Sequence, residues 1–253
     1  MKTVAVYSTK GGVGKTTTAV NLAWEASQDF RVLLWDLDPQ GAATFLLQVK
    51  PKLKGGVDAL IGGKTGAAKA IRSTRYERLD VLPADASYRD LDLVFDHNKN
   101  SVERIAKLLE TISSDYDVVI LDCPPGSSLV AENALHAAEL IVVPLVPSPL
   151  SLRSLEQVTE FVSESASAPQ VVGFLSMVDR RKTLHRAAVR DLPRSSSTVT
   201  NIVVPSSVVI ERMGTERAPV GVYAPRTEAA HAYSELWVRV QSSIKAKQRK
   251  HRH

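Results

Sequence analysis

Thr9-Lys10-Gly11-Gly12-Val13-Gly14-Lys15-Thr16-Thr17 follows directly on the apolar run Thr3 to Ser8 and leads into an amphipathic pattern, Lys15 to Gln28. Strand, glycine-rich loop and helix in that order form the setting in which a phosphate chain is held. Many backbone N–H donors must approach the phosphates closely, and Gly11, Gly12 and Gly14 permit this without side-chain clash. The amides of Val13, Thr16 and Thr17 add to the cradle, and the helix N-terminus adds its partial positive charge. In this pattern Lys15 bridges the β- and γ-phosphates and the Thr16 hydroxyl faces Mg²⁺. The strict pattern has Gly where this chain has Thr9. Lys10 is a second lysine in the loop, unable to serve easily the phosphates that Lys15 already serves, and it points to a second subunit.

Two further segments complete a nucleotide site. The run Leu33-Leu34-Trp35-Asp36-Leu37-Asp38-Pro39-Gln40-Gly41 delivers two carboxylates at a strand end, where ligands gather in doubly wound sheets. Asp36 and Asp38 suit a segment that senses Mg²⁺ and orients an attacking water; Asp38 is equally suited to capping the following helix. The run Asp117-Val118-Val119-Ile120-Leu121-Asp122 is a buried apolar strand with one terminal acid, and Asp122 is expected to hold Mg²⁺, through water.

Beyond these motifs, short β-branched runs alternate with longer helical patterns. Strands are expected at Thr3 to Ser8, Arg31 to Asp36, Leu79 to Leu82, Asp117 to Asp122, Leu140 to Pro144, Val171 to Ser176 and Thr200 to Val204. Helices are expected at Lys15 to Gln28, Ser101 to Ser113, Ser151 to Ser165, Lys182 to Leu192 and Thr227 to Ala246. The pattern describes a single α/β domain with a doubly wound, mainly parallel sheet flanked by helices, over residues 1–244. Lys50 to Ala70, rich in Lys and Gly, reads as a surface excursion, and residues 245–253 as a frayed basic tail.

The nine residues Lys10-Gly-Gly-Val-Gly-Lys-Thr-Thr-Thr18 resemble the deviant Walker A loop of the ParA/MinD family of P-loop ATPases, of the SIMIBI type. Pro124, Pro125 and Gly126 resemble that family's second switch. Glu132 to Leu135, Ile141 to Pro144 and Ala230 to Tyr233 are similar as well, so the likeness spans the chain. It implies ATP and Mg²⁺ as cofactors and an ATP-state homodimer in which Lys10 contacts the nucleotide of the partner subunit. It also makes Asp38 the residue required for hydrolysis and places Asp36 near the metal. Where the family pattern would place an Asn and a Pro-Arg pair around adenine, this chain has Ser176-Met177-Val178-Asp179 and Val204-Pro205-Ser206-Ser207. Met177, Asp179 and Pro205 are the adenine contacts expected here.

Composition narrows what the site is for. Residues 1–150 carry 16 Lys/Arg against 18 Asp/Glu, whereas residues 151–253 carry 16 against 9, so the later part is basic. One cysteine, Cys123, cannot hold the paired-cysteine cluster of iron-sulfur relatives. No apolar run of about 18 residues occurs, which excludes a membrane-spanning helix and makes a cytoplasmic, nucleoid-associated protein the expectation. The stripe Tyr233, Leu236, Trp237, Val240, Ile244 could serve a membrane surface in the MinD manner, yet stripes at that spacing more often pack in a core. Lys182, Arg186, Arg190, Arg194, Arg212, Arg217 and Arg226, with Lys245, Lys247, Arg249, Lys250 and Arg252 of the tail, suit DNA phosphates better. No helix-turn-helix precedes the loop, so binding is expected to be nonspecific. The resemblance then implies a ParB-like protein or cargo adaptor that stimulates hydrolysis. A small-molecule ATP-dependent ligase on the same scaffold is the competing class.

Overall fold

The computed structural model describes residues 1–96, 101–164 and 168–250. Its eight described strands are β1 (Lys2–Val6), β2 (Val32–Asp36), β3 (Arg72–Ser73), β4 (Leu79–Leu82), β5 (Val118–Asp122), β6 (Leu140–Leu145), β7 (Gln170–Val178) and β8 (Val199–Pro205). They form one sheet in the order β3-β4-β2-β5-β1-β6-β7-β8. Every pairing is parallel except β3 with β4. β3 was not expected, because two residues carry no periodicity to detect.

Alternation along the central strands supplies a core to each face. Ala5, Leu33, Trp35, Val119, Leu121, Ile141 and Val143 point one way. Val4, Val6, Val32, Leu34, Ile120, Leu140 and Val142 point the other, against the helices Lys15–Ser27 and Glu228–Lys250. Strands buried on both faces read as unbroken apolar runs, which is why these four were visible in sequence.

Tyr233, Leu236, Trp237, Val240 and Ile244 all lie in this second core. The C-terminal stripe is therefore packing surface. The last helix continues through Lys250, where the sequence suggested fraying from Lys245. Its Lys, Ala, Gln and Arg are all good helix formers, which accounts for the extension.

Lys50 to Ala70 also differs from expectation. It folds as two short helices, Gly56–Ile61 and Ala67–Ala70, that bury Leu53, Val57, Leu60 and Ile61 in the first core. Val57, Leu60 and Ile61 stand at the i, i+3, i+4 spacing of one helical face, a signal masked by the surrounding Lys and Gly. The helix expected from Ser151 runs from Pro149 to Glu164, and Ser165 lies outside the described residues.

One close approach fixes how the last helical segments seat on the first helix. A Cβ on Gly221 would lie 2.1 Å from Cζ3 and 2.5 Å from Cη2 of Trp24. Gly221→Ala is accordingly expected to destabilise the fold by about 1–3 kcal/mol through overpacking. Urea titration checks this, and an unchanged midpoint would mean that the indole moves aside freely.

Candidate functional site

The site gathers at the carboxyl edge of the sheet, where β1 emerges between β5 and β6. Register fixes two of its acids: Asp36 and Asp122 are paired across β2 and β5, and Val6 pairs with Asp122 from the other side. The loop leaving β1 therefore starts next to both carboxylates.

Gly12 and Gly14 adopt φ of +71° and +92°, in the left-handed region that only glycine enters at little cost. The turn lets backbone amides converge before the Lys15–Ser27 helix begins. Behind the loop, the Ser176 hydroxyl donates to the Val13 carbonyl at 2.9 Å, and the Thr18 hydroxyl to the Gly14 carbonyl at 2.7 Å. Ser176 also stands 3.2 Å from where a Gly14 Cβ would be, so it braces the loop closely.

Lys15 is buried, and its ammonium donates to the Lys10 carbonyl at 3.1 Å. Burial lowers its pKa from the ordinary lysine value, opposed by the charges of Asp122, Cys123 and Asp38. Asp122 is fully buried, and neither of its carboxylate oxygens meets a hydrogen-bond donor. Burial, and then the neighbouring Asp36, push its pKa well up, while the Lys15 charge draws it down. A buried carboxylate without a donor, beside a hydroxyl and a lysine, fits a hydrated divalent cation, because both unmet oxygens want positive charge.

Asp36 stands beside Asp122, and its carboxylate also has partners of its own. One of its oxygens accepts from the Asp38 amide, and the other from the amide and hydroxyl of Thr44 at 2.8 and 2.7 Å. Both oxygens thus serve to pin the turn 37–44. Asp122 is the carboxylate left open to a cation, and Asp36 shapes the segment carrying Asp38. Asp38 itself is half-buried, faces the cleft, and accepts from the Gln40 amide at 2.9 Å.

The cleft encloses about 450 Å³ between the loop and the segment after β8. Gly11, Gly12, Gly14, Lys15, Thr16 and Thr17 line its phosphate end, and Val13 lies buried behind the loop. Met177 and Pro205 also line the cleft, Met177 with a left-handed φ of 55°. Asp179 does not reach the cleft. Its carboxylate is clamped by the Arg181 guanidinium at 2.9 Å through both oxygens, and that bond holds its pKa well below the usual carboxylate range. The far end is built instead from Ser206, Ser207, Ile210, Glu211 and Met213, on short helices after Pro205. Sequence reasoning missed them; Ser207, which caps the Val208–Glu211 helix, was the available signal.

The basic residues do not form a single arrangement. Lys182, Arg186, Arg190 and Arg194 are all exposed at intervals of four, one stripe along the Thr183–Ser195 helix and its cap, although Arg190 is paired with Asp191 and Arg186 donates to the Arg180 and Arg181 carbonyls and the Thr183 hydroxyl. Arg212 is paired with Glu216 and lies over the Tyr223 ring. Arg217 is half-buried, stacks on Phe45 and donates to the Phe45 carbonyl. That clasp commits its guanidinium to the fold. Arg226 and Lys245 are exposed; the side chains of Lys247, Arg249 and Lys250, and all of Arg252, lie outside the described residues.

A glycine-turned loop at a helix N-terminus, a buried lysine and an open strand-end aspartate together define a P-loop nucleotide-binding protein. The family described as AAA domain matches residues 1–170. The sporulation initiation inhibitor protein Soj of Bacillus subtilis (strain 168) is 31% identical over 243 residues, covering 93% of this chain and 96% of the relative. The chromosome partitioning protein ParA of Caulobacter vibrioides (strain NA1000 / CB15N) is 30% identical over 262 residues, covering 99% and 97%. Among solved structures, cobyrinic acid a,c-diamide synthase from Mycobacterium smegmatis with bound ATP analog and magnesium superposes with a TM-score of 0.83 at 27% identity, covering 98% and 96%. MinD of Pyrococcus horikoshii OT3 with Mg-ADP superposes at 0.76 and 22% identity, covering 94% and 95%, a likeness of fold.

The chain belongs to the ParA/MinD-type P-loop ATPase family, with Soj and ParA partitioning ATPases among its homologues. The synthase is solved with ADP or an ATP analog and magnesium, and MinD with Mg-ADP, in keeping with ATP and Mg²⁺ as cofactors of this family. Among the described residues, no helix is long and apolar enough to cross a membrane.

Proposed function

We propose that this chain is an ATP-hydrolysing switch that positions or segregates a cargo, using nonspecific DNA as its track. In the ATP state two subunits close face to face; the closed pair binds DNA phosphates; a ParB-like protein or cargo adaptor stimulates hydrolysis; and the subunits part and release. Residues 1–244 are the ATPase domain, and residues 245–253 a basic tail.

One observation carries this reading. Lys10 does not line the cleft of its own subunit, and no side chain among the described residues engages its ammonium. A loop lysine kept out of its own site suits the triphosphate of a second copy. In the cycle, Lys15 neutralises the phosphates, Thr16 and Asp122 hold the hydrated cation, and Asp38 orients the attacking water. The Mg²⁺ supplies charge stabilisation on the phosphate oxygens. Closure excludes water from these groups, and their electrostatic interactions strengthen accordingly.

The exposed stripe Lys182, Arg186, Arg190, Arg194 supports phosphate binding, and two subunits double its charge. Partitioning relatives covering nearly the whole chain favour this cycle over a small-molecule ligase, the class of the synthase with the same fold. A DNA mobility shift with ATP and Mg²⁺ at about 50 and 200 mM salt tests it. Binding is expected only with ATP and is expected to weaken at least about tenfold at the higher salt, as counterion release requires. Binding that ignores ATP, or ignores salt, would contradict the proposal.

A further inference from the structure

Thr9 occupies the loop position where the strict phosphate-binding pattern has glycine, and nothing in the nucleotide cleft uses its side chain. Its hydroxyl points instead to the Pro149–Glu164 helix, which packs beside the loop. There Ser154, only 2% exposed, finds its hydrogen-bond partners in residues of the loop's entry: the Thr9 hydroxyl at 2.8 Å, the Thr9 amide at 3.3 Å and the Ser8 hydroxyl at 3.2 Å. Ser8 is 1% exposed and accepts from the Lys10 amide at 3.3 Å. The Thr9 hydroxyl in turn meets Oε1 of Gln157, one turn along the same helix and exposed to solvent, at 3.3 Å.

Proton supply allows these bonds one common direction. The Lys10 amide can only donate, and the Gln157 carbonyl can only accept. Between them each hydroxyl has one proton to give, so Ser8 donates to Ser154, Ser154 to Thr9, and Thr9 to Gln157. Every proton is used once. A chain running in one direction polarises each successive bond, and its buried members are costly to leave unpaired. It ends on the backbone amide of Lys10.

We propose that Ser154 is a positioning residue, which through Ser8 and Thr9 ties the outer face of the Pro149–Glu164 helix at Gln157 to the backbone of Lys10. Thr9 also accepts the Gly126 amide on its carbonyl at 3.0 Å, and the Tyr7 hydroxyl donates to the Gly126 carbonyl at 3.1 Å. The same anchor therefore steadies the Pro124-Pro125-Gly126 turn. This inference rests on the proposed role of Lys10 across the subunit boundary.

Its test pairs Thr9→Val, which deletes a hydroxyl while keeping shape, with Ser154→Ala, and uses Ser154→Thr to restore the hydroxyl. The apparent KM for ATP is expected to stay within about twofold in both single variants, while kcat and ATP-dependent dimer affinity fall about tenfold, the worth of one lost buried hydrogen bond. Because both act through one chain, the double variant is expected to lie within about twofold of either single, and Ser154→Thr to recover most of the loss. Unchanged kcat and dimer affinity, a change confined to KM, or losses that multiply in the double variant would overturn the proposal. Hydrogen exchange separates this from the reading it rests on. If the wild-type chain stays monomeric with ATP, the role of Lys10 across subunits fails. The chain of hydroxyls itself is refuted if the Lys10 amide exchanges no faster in nucleotide-free Ser154→Ala than in wild type.

Discussion

Lys15→Ala is expected to abolish ATP-dependent assembly and turnover together. The ammonium is buried beside Asp122 and Asp38, at the phosphate end of the cleft, where an unscreened positive charge is worth far more than in water. Truncating it leaves the triphosphate facing a fully buried carboxylate, and losses of one partner from such a site run to about 2–5 kcal/mol. Nucleotide affinity should thus fall by two orders of magnitude or more, on the order of what that energy implies. The folded state should survive, because the Lys15 ammonium makes one protein hydrogen bond, to the Lys10 carbonyl. Fluorescent-nucleotide binding, set beside a thermal melt, separates the two effects. Near-normal affinity would remove Lys15 from the phosphate site.

Asp38→Ala should separate binding from hydrolysis. Asp38 faces the cleft on a turn that Asp36 and Thr44 hold rigidly, yet its own contact is one local bond to the Gln40 amide. Removing it costs the turn little and deprives the attacking water of its orienting carboxylate, so turnover should drop about 10²- to 10⁴-fold, the range for loss of a positioned acid–base group. ATP affinity should hold or rise, and the closed, DNA-bound state should accumulate. Steady-state phosphate release and a nucleotide-binding titration on the same sample check both halves. Hydrolysis at the wild-type rate would assign the water to another residue.

How far the sequence could be read followed from how tightly chemistry constrained each part. A phosphate cradle admits few residue patterns, so Gly11 to Thr17 and the strand-end acids Asp36 and Asp122 were legible before any coordinates. Four central strands buried on both faces were equally plain. The segment 50–70 was not, because two short helices interleave their few apolar positions with lysine and glycine. Asp36 showed its position but not its partners, since the amide and hydroxyl of Thr44 that occupy it come from eight residues further on. Asp179 sits where an adenine contact is expected from sequence, whereas Arg181, two residues away, claims its carboxylate. Ser154 gave no sign at all: a serine on an amphipathic helix is ordinary until the fold sets it against Thr9. Arg217 failed for a similar reason, its partner Phe45 lying 172 residues earlier.

The central claim is that two subunits enclose the nucleotide, each lending Lys10 to the other. Light scattering of the Asp38→Ala protein with saturating ATP and Mg²⁺, beside the Lys10→Ala Asp38→Ala double variant, tests it most directly. The account predicts twice the monomer mass for the first and the monomer mass for the second. A monomer in the first sample, or an equally stable dimer in the second, would contradict it.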